Sequence, residues 1–265
     1  MEDLSIDVII DGDHYSHNQL ERLNYERALH VLHEMKRLGA AIVDGGSELS
    51  DAQIDWLECA DAVRVLLETK QRLGNEGILD LYRDVLADSD ARWRLWASDY
   101  DPACAHTGVT EIAIRGISMQ ETVAVLGNAS DPTMVYRTFA EHFLGEGAIA
   151  TGQYIVETFG MLGEPTYVHG VASRGEIPED IPVEPDSSYA MRLIGETLLA
   201  SDDTNIHVGA VHEIRPVENG LDFKSTFFCP GKAPASIAEG HKLHFAIELS
   251  NSARIAYEAV AKASN

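Results

Sequence analysis

The chain is short of positive charge. Its 265 residues carry 20 Lys and Arg against 43 Asp and Glu, a formal net charge of -23. Phosphate backbones and anionic membrane surfaces would be repelled, so neither nucleic acid nor a membrane is expected as a partner. Such a charge favours solubility and says little about fold. Cysteine is scarce too. Cys59, Cys104 and Cys229 are far apart, odd in number and without CxxC spacing, which argues against a disulfide framework or a cysteine zinc site. No apolar run reaches the length of about 18 residues that a membrane span needs. Met1-Glu2-Asp3-Leu4 lacks the basic and apolar stretches of a signal peptide, so the cytoplasm is the expected location. There is no P-loop and no GxGxxG opening a helix after a strand. Nor is there a GxSxG elbow, which disfavours ordinary serine-hydrolase chemistry. Cys104 and His106 share a side of an extended chain without having to touch, a weak basis for a thiol nucleophile.

What is present is an ordinary globular composition, 45% hydrophobic, in a chain long enough for a substantial core. Residues 5–10 read as a short strand and 18–38 as an amphipathic helix closed by Gly39. Ser50 is placed to cap a helix reaching about Leu73, with further helical pieces over 77–87 and 90–97. The first third, 1–98, is therefore helix-rich, and residues 99–265 read as a second region of mixed α+β character. There Thr107 to Ile117 alternates like a strand. Asp131-Pro132 marks a helix start, with the helix running to about Leu144. Gln153 to Phe159 and Thr166 to Ala172 read as strands, and Asp186 as the cap of a helix to about Ala200. The clearest sheet signal is Ile206 to Phe228, where two β-rich runs flank Glu218-Asn219-Gly220. An antiparallel sheet followed by one long helix, from about Pro234 to Lys262, predicts α+β packing with that helix across a curved sheet.

The last helix carries the strongest chemical signal. At about 100° per residue, His241, His244 and Glu248 fall within about 60° of one another around its axis. The same face carries Ile237, Phe245, Ser252, Ile255 and Ala259, so it is expected to be buried. A buried carboxylate needs a metal or a charged partner, and His and Glu one turn apart can share one cation. The competing reading is a solvated i, i+4 pair. His30, His33 and Glu34 form a similar cluster on the first long helix, but Glu26, Arg27 and Arg37 around them predict a solvated face. His14 and His17, with Asp11 and Asp13, fit a polar loop.

The run Asp222-Phe223-Lys224-Ser225-Thr226-Phe227-Phe228, followed by His244-Phe245-Ala246-Ile247-Glu248-Leu249-Ser250-Asn251, resembles the end of the diacetylphloroglucinol and phloretin hydrolases. The resemblance is specific over about twenty residues of the C-terminal part, a final strand then a helix with His-x-x-x-Glu. It implies a helix-grip (Bet v1-like) domain holding Zn²⁺, and hydrolysis of a carbon–carbon bond between an acyl group and a phenolic ring. It implies His244 and Glu248 as metal ligands, with His106 as the upstream histidine and Glu141 as the upstream acid, Glu157 being the rival. A phenolic or ketone small molecule would be the substrate. His169 and His212 are candidate general acids or bases, and Tyr154 and Tyr167 candidate contacts to phenolic oxygens. Core histidines and packing tyrosines are the plainer readings. A homodimer is left open. The alternative is a metal-free helix-grip binding protein or cyclase for a hydrophobic small molecule.

Overall fold

The computed structural model describes residues 3–126, 133–148 and 151–263. Strands β1 (Ser5–Ile10) and β2 (Asp13–Tyr15) form a hairpin ahead of helix α1 (His17–Arg37). A two-stranded pair, β3 (Val43–Asp44) and β4 (Ser47–Glu48), leads to helices α2 (Asp51–Asp55), α3 (Cys59–Leu81) and α4 (Arg83–Ala97). Strand β5 (His106–Arg115) and helices α5 (Met119–Leu126) and α6 (Thr133–Thr138) follow. Then come β6 (His142–Ala148), β7 (Gly152–Glu157), β8 (Thr166–Arg174), β9 (Met191–Leu199), β10 (Asn205–Val217) and β11 (Gly220–Cys229), before helix α7 (Ala235–Ala263).

Nine strands form one antiparallel sheet in the order β2-β1-β5-β11-β10-β9-β8-β7-β6. The stretches before and after residue 99 share this sheet. Val8 of β1 pairs with Ile112 of β5. They share a core as well. Leu32, Met35, Ile78 and Tyr82 pack with Phe143, Leu144 and Val156.

Local signals explain most elements. Ser16 and Gln19 form a capping box at the start of α1, and Ser50 with Gln53 another at α2, each satisfying N–H groups that a helix start leaves free. Helix α2 ends within two turns, and α3 begins anew at Cys59 and kinks at Gly74, whose φ is 62°. The helices expected over 77–87 and 90–97 are instead divided at Tyr82. The β10–β11 hairpin turns at Glu218-Asn219 as expected, with Asn219 at φ 52°.

Two expected helices are strands. Within the stretch expected as helix to about Leu144, the helix stops at Thr138 and the chain becomes β6 (Asp131-Pro132 lies outside the described residues). Gly145 and Gly147 weaken a helix there, and the Val135 side chain lies so close to Gly145 that any Cβ would collide with it. Asp186 caps no helix to Ala200. Its carboxylate accepts from Ser188 N at 2.9 Å, a local turn, and Met191–Leu199 fills the place between β8 and β10. Pairing with β8 on one side and β10 on the other, with Ile194, Thr197 and Leu199 buried, overrides helix propensity.

Helix α7 lies on β5 and β11. Gly108 permits this, because a Cβ there would meet the Ala238 carbonyl. The Thr110 hydroxyl donates to the Lys242 carbonyl at 2.8 Å. Farther along, α7 reaches His142 of β6, at the opposite end of the sheet order. The helix therefore runs from the β5–β11 part of the sheet to its β6 edge, which the twist of an antiparallel sheet brings within reach. Among the described residues, no helix is long and apolar enough to cross a membrane.

Candidate metal centre

Strand alternation decides which side chains meet α7. Thr110 faces the helix, and its register partners Ser225 and His212 share that face. Counting the ladder on through β9 and β8 places Ile155 and Glu157 of β7 on the same face, with His142 paired to Glu157 at the start of β6. Curling brings these two against His244 and Glu248.

His142 Nε2 and His244 Nε2 are 2.9 Å apart. Glu157 Oε2 lies 3.2 Å from His142 Nε2 and 4.0 Å from His244 Nε2. Glu248 Oε2 is 3.7 Å from His244 Nε2, and the donor atoms of His142, His244 and Glu248 all lie within 4.8 Å of one another. Two donors bound tetrahedrally to one zinc ion sit about 3.3 Å apart, so these spacings are those of ligands around a common centre. Among the described residues no Lys or Arg pairs with Glu157 or Glu248, so no protein cation beyond the imidazoles answers the two carboxylates.

The supporting contacts orient the donors. His142 Nδ1 donates to the Val135 carbonyl at 3.1 Å, with the Thr138 hydroxyl at 3.3 Å. That bond assigns the tautomer and leaves Nε2 as the lone pair facing His244. The His244 ring stacks on Phe139 with centroids 4.0 Å apart. Its Nδ1 is buried near the Thr158 and Gly160 backbone without a well-aligned hydrogen bond. His241, also buried, accepts from Gly160 N at 3.1 Å and stacks on Phe227. It supports His244, whose ring centroid is 4.2 Å away.

The electrostatics separate the two imidazoles. Burial opposes charge on His142, but Glu157, hydrogen-bonded to it, and then Glu248 outweigh burial and raise its pKa. Burial first, then His241 and His142, drives His244 well below the ordinary imidazole value. The two Nε2 atoms are 2.9 Å apart, too close for both to carry a proton on the line between them. Glu248 is raised by burial, with His142 opposing and Glu157 adding. The Glu248 side chain keeps 30% exposure, so it is the partly exposed member beside the buried His244.

His244 and Glu248 thus come together as the helix spacing predicts. His106 does not join them. It faces α7 but stands at the start of β5 opposite Cys229, and His142 occupies the expected upstream position. Glu141 does not join them either. Its neighbour His142 points to α7, while Glu141 lies 3.8 Å from Arg27 and accepts from Leu162 N at 2.7 Å. Glu157, the rival, is the acid at the cluster. His142 was hidden because its stretch reads as helix; the Gly145 and Gly147 that follow were the available signal against that.

The other candidates divide by face. His212 is on the α7 side, its Nδ1 2.8 Å from the Ser225 hydroxyl and its ring edge-on to Phe245. Burial alone lowers its pKa to about 4, so it is neutral. Tyr154, Tyr167 and His169 sit on the opposite face. Tyr154 and His169 are register partners with stacked rings, and His169 Nδ1 lies 2.9 Å from Asp203. The solvated face expected around His30 and Glu34 is a correction too. Arg27 and Glu34 are buried, and Tyr82 donates to Glu34 at 2.9 Å. Cys104 is exposed, and its hydrogen bond to Asp101 raises its thiol pKa, the opposite of activation.

No family model and no curated relative matches the chain. Among solved structures, an NMR structure of a protein from Arthrobacter aurescens is similar at 10% identity and a TM-score of 0.36, over 61% of this chain and 90% of that one. A crystal structure of protein Ms6760 from Mycobacterium smegmatis is similar at 9% identity and a TM-score of 0.31, over 61% and 93% of the two chains.

Proposed function

We propose that the chain is a metal-dependent hydrolase in which His142, Glu157, His244 and Glu248 hold one divalent ion. One observation carries the reading: two imidazole Nε2 atoms and the Glu248 carboxylate lie within 4.8 Å of one another between β6 and α7, with the Glu157 carboxylate 3.2 Å from His142 Nε2 and no Lys or Arg paired to either acid among the described residues. Two nitrogen and two carboxylate donors suit zinc, and their two negative charges balance a divalent cation. Bound there, the ion would supply Lewis-acid polarisation of a carbonyl or an activated water.

The chain's own residues do the rest. Val135 and Thr138 hold the His142 ring, and Phe139 packs on His244. The neutral His212 lies on the same face, and the burial that lowers its pKa to about 4 leaves it a hydrogen-bonding group rather than a base. The substrate class follows the resemblance of the C-terminal strand and helix, an acylated phenol or β-diketone cleaved at a carbon–carbon bond within a helix-grip domain.

The test is metal content of the purified protein by mass spectrometry, beside His142→Ala and a His244→Ala, Glu248→Ala double variant. About one zinc per chain, lost in both variants, is expected. Acylated phenols are then the first substrates to screen. No metal in the wild type after incubation with zinc would overturn the proposal in favour of a metal-free binder of hydrophobic molecules.

A further inference from the structure

Behind His142, on the far side of β6, sits a cation that the metal centre does not use. Lys70 of α3 is 0% exposed. Its ammonium donates to the Ala140 carbonyl at 2.5 Å and to the His142 carbonyl at 2.6 Å. The intervening Glu141 carbonyl accepts instead from Thr158 N of the chain beyond β7, at 3.2 Å. Three successive carbonyls are thus held alternately by the helix layer and by the neighbouring chain, just where α6 gives way to β6. The ladder is irregular here, with a register shift between His142 and Leu144, so regular sheet pairing does not by itself fix the His142 backbone. The Phe143 ring lies 5.1 Å from the ammonium and closes the site.

We propose that Lys70 is a positioning residue for the metal centre. By clamping the Ala140 and His142 carbonyls it fixes the backbone from which the His142 imidazole projects toward His244. This rests on the metal reading above, and it gives the helix-rich N-terminal stretch a part in the site. Long aliphatic stems pack well in cores, so filling space needs only the stem. Two buried carbonyls need the donors as well. Lys70→Met keeps the stem and removes the donors.

The experiment uses the full chain, with zinc affinity measured by competition with a chelator and the visible spectrum of the Co²⁺-loaded protein. Wild type, Lys70→Met, His142→Ala and Ile78→Ala are compared. Ile78 lies on the same helix and in the same core and has no polar side-chain atom to bond the carbonyls of residues 140–142, so it reports general damage to α3 packing. Expected for Lys70→Met is a ~10- to 100-fold loss of affinity, as for other residues that orient a metal ligand, with an altered Co²⁺ spectrum. Ile78→Ala, at a comparable loss of Tm, should keep wild-type affinity and spectrum. Wild-type affinity and spectrum in Lys70→Met would overturn the positioning role alone. Equal losses in Lys70→Met and Ile78→Ala would overturn it as well. A wild type that binds no zinc, or a His142→Ala protein that binds it unchanged, would instead overturn the metal reading and this inference with it. If Lys70→Met does not fold, Lys70→Gln is judged by the same criteria.

Discussion

Strands β6 and β7 carry a buried ionisable cluster on each face, and the two clusters are built differently. On the α7 side, His142, His244, Glu157 and Glu248 converge with no paired Lys or Arg among the described residues. On the helix-layer side, Glu141 faces Arg27 at 3.8 Å and feels Lys70, while Glu34 accepts from Tyr82. There the protein supplies its own cations, and burial still leaves its mark: Lys70 is lowered to about 7, against the pull of Glu141, and Glu141 is raised to about 7 against that of Arg27. Buried carboxylates close to one another mean little until their counter-charge is identified. Where arginine or lysine provides it, the cluster is structural. Where only imidazoles face the acids, as around His142 and His244, we propose that a cation from solution completes the charge.

The largest effects should come from breaking this contrast at neighbouring residues. Glu157→Gln removes an acid from the open cluster and Glu141→Gln one from the closed cluster. Zinc titration should show a loss of affinity of at least ~100-fold for Glu157→Gln, since removing a direct ligand exceeds the 10- to 100-fold cost of an outer contact. Glu141→Gln should leave affinity within a few-fold and lower Tm, because it unpairs the buried Arg27. Reversed results would mean that the acids have been assigned to the wrong clusters. Histidines give a second pair. His142→Ala should abolish stoichiometric zinc, and His106→Ala, at the start of β5, should retain it. Zinc affinity should also fall as pH drops through the imidazole range, because protons compete with the ion for His142 and His244. A pH-independent affinity between pH 5 and 8 (the range in which an ordinary imidazole titrates) would argue against histidine ligation.

The same contrast explains what was legible in the sequence. His244 and Glu248 were, because helix periodicity alone puts them together, and α7 forms over Ala235–Ala263. The β10–β11 hairpin was marked by Asn219-Gly220. The partners of His244 were not, since which upstream residues meet α7 depends on how far a nine-stranded sheet curls, a long-range property. Glu141 and His142 are adjacent in sequence and point to opposite faces, so taking the segment for a helix led to the wrong member of the pair. Tyr154, Tyr167 and His169 lie together, but on the face away from α7, which strand alternation settles only once the register with β8 is known. Burial of Arg27 and Glu34 was hidden by the charge density of α1, because packing of α3 and β6 against that helix leaves no trace within it.

The smallest expected effect lies wholly in the closed cluster. Glu34 is 5% exposed, and burial raises its pKa, with the Tyr82 hydrogen bond opposing. A raised carboxyl pKa means that the folded chain holds this proton at a pH where the unfolded chain has released it. Stability from this group is therefore fully present below the unfolded value of about 4.5 and declines as pH rises through the folded value. Glu34→Gln keeps an acceptor for the Tyr82 hydroxyl and removes the titration. Compared by denaturant unfolding from pH 4 to 8, the variant should gain stability relative to wild type as pH rises, and its zinc affinity should match wild type throughout. A constant difference between the two proteins across that range would mean that Glu34 is ionised in the folded chain as readily as in the unfolded one. The Tyr82 and Arg37 contacts would then have offset its burial in full.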